Sequence, residues 1–112
     1  MDTGDRFAAL VGAFAGEPGV TLPGEPGHRG FGADALKVDG SIFAMLVRGG
    51  LVLKLPAGRV AALVGSGAAT PFSNGAGRVM REWAVLTGGD DGADLTLARE
   101  ALEHVRSRSA RP

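Results

Sequence analysis

Few side chains in this sequence could carry proton or ligand chemistry. Two histidines are the natural proton carriers. His28 stands in a Gly/Pro-rich stretch near Glu25 and Asp34, and His104 follows Glu100 by one helical turn. That spacing brings the Glu100 and His104 side chains together on a helix. Two isolated histidines fall short of the three or four converging ligands that a metal centre needs. Surface or helix-terminus roles suit them better, with His104 near a helix C-terminus where a cation is favoured. Lys54 sits in an otherwise apolar run, LVLKL. It either snorkels at a sheet edge or meets a carboxylate or a ligand. Arg48, Arg78 and Arg81 can form a small basic patch for phosphate or an acidic protein surface. Trp83, two residues after Arg81, is either core or an aromatic anchor for a partner or a stacked base.

Glycine motifs add no catalysis. Gly30-Phe31-Gly32 begins a dinucleotide-type pattern, but position 35 is alanine and a strand follows. Gly75-Ala76-Gly77 fails in the same way. Gly65-Ser66-Gly67 is not a nucleophile elbow, because residue 64 is valine. These glycines read as turn and helix-end residues. No catalytic residue, metal ligand or cofactor site is expected, and the reading is non-enzymatic.

The elements that must position these side chains fit one domain. A chain of 112 residues, 45% hydrophobic and 21% charged, suits a single globular core. It has no cysteine, which removes disulfides and thiolate chemistry and agrees with a reducing cytoplasm. Its start lacks the basic and apolar regions of a secretory signal. The longest clean apolar run, Ile42 to Val47, is far too short to cross a bilayer. Net charge is zero, so no global field draws the chain to DNA or an anionic membrane.

Residues 5–15 read as an amphipathic helix with Phe7, Leu10, Val11 and Phe14 on one stripe. Residues 16–32 are a Gly/Pro-rich connector in which Val20 to Leu22 can make a short edge strand. Residues 33–55 read as three antiparallel strands. Asp39-Gly40 is a type I′ hairpin turn, and Gly49-Gly50 is expected to make the next. With two-residue loops Leu36 faces Phe43, Val47 faces Val52, and Met45 faces Lys54. One face then carries Leu36, Val38, Phe43, Met45, Val47 and Val52. The other carries Ile42, Ala44, Leu46, Leu51, Leu53 and Leu55, so both faces are apolar. Pro56 starts a helix with Val60, Leu63 and Val64 inward. A possible short strand around Pro71-Phe72 precedes a strand over 79–87. Asp94 is expected to cap a last helix whose apolar face is Leu95, Ala98, Leu102 and Val105. Residues 106–112 read as a flexible basic tail. The fold class is α+β: an antiparallel sheet of four to five strands with helices packed on it, in the order α-β-β-β-α-β(-β)-α.

The succession FGADALKVDGSIFAML, LVLKLP and PFSNGAGRVMREW resembles the TfoX N-terminal domain family and the related YjbR-type small bacterial proteins. The pieces are Gly32, Gly40, Lys54-Leu55-Pro56, Pro71-Phe72, Gly77-Arg78, Met80 and Trp83. The resemblance runs from Phe31 to the last helix. It implies an antiparallel sheet with helices against it, often a dimer, and a link to transcription or competence regulation. It supplies no active-site residues.

Residues and resemblance together lead to a regulatory interaction domain. A homodimer is expected, with Phe43, Met45, Val47, Val52 and Lys54 as candidate interface residues. A protein partner is expected as well. Direct DNA binding through Arg48, Arg78, Arg81 and the tail is one alternative. A small-ligand pocket under the 16–32 connector, anchored by Lys54 or His28, is the other.

Overall fold

The apolar run Ile42–Val47 becomes the middle of a six-stranded antiparallel sheet. The computed structural model describes residues 3–23, 34–88 and 91–109. Its elements, in order, are α1 (Thr3–Phe14), β1 (Val20–Thr21), β2 (Ala35–Val38), β3 (Ser41–Val47), β4 (Gly50–Lys54), α2 (Ala57–Ser66), β5 (Ala69–Ser73), β6 (Val79–Leu86) and α3 (Asp91–Ser109). The strand order is β1-β2-β3-β4-β6-β5. The class is α+β as expected, with six strands where four to five were expected, because both short strands anticipated at the margins of the sheet are formed. Neither edge invites strand addition, since β1 has two residues and β5 carries Pro71, which has no N–H to donate. No helix of the described residues is long and apolar enough to cross a membrane.

All three helices bury their apolar stripes in one core. Phe7, Leu10 and Phe14 of α1, Val60 and Leu63 of α2, and Ala98, Ala101, Leu102 and Val105 of α3 join Leu36, Phe43, Leu51, Leu53 and Leu55 of the sheet. Phe14 meets Phe43 edge-on, with centroids 5.3 Å apart. Each such side chain contributes roughly 1.5–3 kcal/mol by leaving water. A separate cluster holds Ala35, Met45 and Val52, with Ile42, Val47, Phe72, Trp83 and Val85 packed around it. It is built from strand side chains alone, so the sheet has a helix-covered face and a helix-free face among the described residues.

Register decides who lies on which face. The Asp39-Gly40 turn forms as expected, both residues at positive φ, and Val38 pairs with Ser41. A bulge then inserts Phe43, because Ile42 pairs with Lys37 while Ala44 pairs with Leu36. Phe43 and Ala44 consequently both enter the helix-covered core, with Leu36 and Val38, and Ile42 moves to the Met45 face. This reverses the sequence-derived placement of Leu36, Val38, Phe43 and Ile42. The second turn is Arg48-Gly49, at φ 50 and 76, one residue earlier than expected. Met45 therefore faces Val52 rather than Lys54. Moving a two-residue loop by one position shifts the pairing by two, so no side chain of β4 changes face. Gly50 is thereby a strand residue, and a Cβ there would lie 3.1 Å from a Val85 methyl.

Two further expectations change at the termini. α3 begins at Asp91, so Asp94 lies in its first turn rather than at its cap. The Asp94 carboxylate is buried and takes both Arg6 Nε at 2.8 Å and Arg6 Nη2 at 2.7 Å, which ties α3 to α1. At the other end α3 runs to Ser109, into the segment read as a tail. Arg106 donates to the Pro18 carbonyl at 2.7 Å, and Arg108 donates to Glu82. Residues 24–32 of the connector, His28 among them, with residue 33 and residues 110–112, lie outside the described residues.

Candidate binding site

The helix-free face is shaped by a kink in the last hairpin. β5 and β6 pair regularly from Ala69↔Leu86 to Pro71↔Ala84, and the next pair is Phe72↔Met80. Arg81, Glu82 and Trp83 therefore have no counterpart on β5, although Trp83 still pairs with Lys54 of β4. Three extra residues on one strand bend the hairpin strongly. Its tip is turned back over the helix-free face. Arg48 Nη2, on the β3–β4 turn, donates to the Ser73 carbonyl at 2.8 Å, and its guanidinium lies 5.5 Å from the Phe72 ring centre. These contacts hold Arg48 in a left-handed conformation that a non-glycine residue adopts at a cost of about 1–2 kcal/mol.

Asn74 builds the tip. Its Oδ1 accepts from the backbone N–H of Ala76 at 2.9 Å and of Arg78 at 3.0 Å. Its Nδ2 points at the Met80 sulfur, 3.9 Å away. Gly77 takes φ 84, which closes the turn.

Between tip and sheet lies a cavity of about 380 Å³, walled by Ile42, Met45, Val47, Phe72, Met80 and Trp83, with Arg48 and Asn74 at its margin. A wider depression of about 880 Å³ adjoins it and shares Asn74, Met80 and Trp83. Lys54, Arg78 and Arg81 line this second space. The Lys54 ammonium sits 5.4 Å from the Trp83 ring centre, and Phe72 flanks that ring at 6.3 Å. No ion pair engages Lys54, Arg78 or Arg81 among the described residues.

Glu82 is the carboxylate bordering the depression, and other groups hold it. His104 Nε2 donates to Oε1 at 2.9 Å, and Arg108 donates to the same oxygen. The His104 hydrogen bond foremost, then that of Arg108, keeps the carboxyl below its ordinary value against the opposing pull of partial burial. Glu100, the helical neighbour expected for His104, instead forms a two-pronged pair with Arg59 at 3.0 and 3.2 Å.

The sequence-derived candidates are thus redistributed. Lys54, Arg78, Arg81 and Trp83 come together at one depression. Arg48 is set apart from Arg78 and Arg81 by its bond to Ser73. Met45 and Val52 are on the helix-free face but only 7% and 1% exposed, Val47 is half-buried, and Phe43 lies on the opposite face. Phe72, Asn74, Met80 and Ile42 were missed as site residues. Asn74-Gly75 was legible as a turn signal, but strict alternation puts Met80 opposite Trp83, and only the kink brings them to one side.

Comparison with family models, curated proteins and solved structures gives no match to this chain.

Proposed function

We propose that this chain is a non-enzymatic binding domain, which holds a small molecule with an apolar body between the β5–β6 hairpin tip and the sheet. The observation that carries this reading is the cavity of about 380 Å³ walled by apolar and aromatic side chains. Its size falls in the range of about 300–1,000 Å³ typical of small-molecule sites, and an apolar wall with a few polar groups at its margin is their usual make-up. The polar groups around it are cations and an amide, which suit recognition. A cytoplasmic regulator that senses a small molecule is the working identity, and the link to transcription or competence rests on the family resemblance. Octanol is a fitting neutral probe. It should raise the melting temperature and change the emission of Trp83, the sole tryptophan. Ile42→Phe, which fills the cavity, should abolish both responses. A wild-type protein indifferent to octanol and to octyl amphiphiles of either charge state would remove this reading.

A second reading, as a homodimer or protein-docking module, is favoured by Val79, which is 55% exposed on the hairpin next to Arg78. A dimer in solution that Val79→Glu dissolves would support it. A monomer at every concentration would count against the dimer.

A further inference from the structure

We infer that the ligand of this groove is an amphiphilic anion. Its apolar body occupies the cavity under the hairpin tip, and a single carboxylate or phosphate head rests among Lys54, Arg78 and Arg81. The inference rests on the binding-domain reading above and adds the chemistry of the head.

The apolar cavity and the cation-lined depression meet along Asn74, Met80 and Trp83, which line both. Trp83 marks the boundary, with Phe72 on its apolar flank and the Lys54 ammonium over its ring.

From Ser41 to Arg81 the chain has no acidic residue, and that stretch supplies every wall of both spaces except Glu82 and Trp83. Glu82 is hydrogen-bonded to His104 and Arg108 on α3 and meets Lys54 only through its charge, so no carboxylate among the described residues pairs with Arg78 or Arg81. Lys54, Arg78 and Arg81 therefore line one depression on a chain of zero net charge, where they add their attraction for an anion. A purely apolar ligand would leave these charges unanswered. A purely hydrophilic anion would leave the cavity unfilled.

Shape excludes a larger polyanion as the best fit. Arg48, Arg106 and Arg108 are committed to Ser73, Pro18 with Glu17, and Glu82. The cations left at the groove form one cluster rather than a track along which successive phosphates could run.

The test compares four probes below their micelle concentrations: octanoate, octyl phosphate, octanol and inorganic phosphate. Trp83 emission and titration calorimetry are the readouts, with wild type and Arg78→Gln/Arg81→Gln. Both substituted residues are exposed, so the fold should be kept. At least one of the octyl anions should bind tenfold or more tightly than octanol and than inorganic phosphate. The preferred anion identifies the head. The double variant should lose that preference while keeping its octanol response, and added salt should weaken only the anions. Equal binding of octanol and both octyl anions would overturn the anionic head and leave the binding-domain reading intact. Inorganic phosphate binding as tightly as octyl phosphate would overturn the amphiphilic claim. Failure of all four would overturn both readings.

Discussion

The two faces of the sheet are covered by different means. On one side three helices contribute whole apolar stripes, and the core around Phe14, Phe43 and Leu53 is closed, with these residues fully buried. On the other side the cover is a short hairpin tip anchored by Arg48 and Asn74, and a cavity remains beneath it. A helix lays down a side chain every few ångströms and can fill a surface densely. A kinked two-stranded tip offers only Phe72 and Met80, so it leaves room. Packing density is what separates the helix-covered face from the helix-free face.

The sharpest way to break this comparison is to truncate one phenylalanine on each side. Phe43→Ala should cost about 3–5 kcal/mol in urea unfolding, because it opens a hole in a filled core. Phe72→Ala should cost only roughly 1–2 kcal/mol, since that ring is already part-exposed beside a void. Equal losses would mean that the two faces are equally packed.

The Arg6–Asp94 pair tests how the helices are locked together. Asp94→Ala should cost about 3 kcal/mol, since it removes the carboxylate that takes two N–H groups of the buried Arg6 guanidinium. Arg6→Met combined with Asp94→Leu should recover most of that loss, which would show that the pair adds little net stability over an apolar contact.

The smallest effect is expected at Glu82. Its carboxyl lies below its ordinary value of 4.5, so its contribution is whole above that value and is lost as pH falls through the lowered folded value. With a side chain 34% exposed, the loss should stay under about 1 kcal/mol after solvent screening. Urea midpoints across that acid range should fall in wild type more than in Glu82→Gln.

The sequence by itself determined the local elements and the class. Phe7, Leu10 and Phe14 at helical spacing, Asp39-Gly40 between apolar runs, and Pro56 before Val60 act through near neighbours, so the α+β order was legible. The spacing of Arg78, Arg81 and Trp83 likewise flagged the cationic half of the groove. Only the tertiary structure decided the faces. The bulge at Phe43 and the three-residue excess at Arg81–Trp83 leave every local propensity satisfied, yet each reassigns side chains across the sheet. Such insertions are chosen by what must pack on the far side: Phe43 moves to meet Phe14, and Met80 joins Trp83 because the hairpin folds back to Arg48. Alternation along a strand has a period of two, so one unpaired residue, with no trace in composition, is enough to turn an expected interface residue into core.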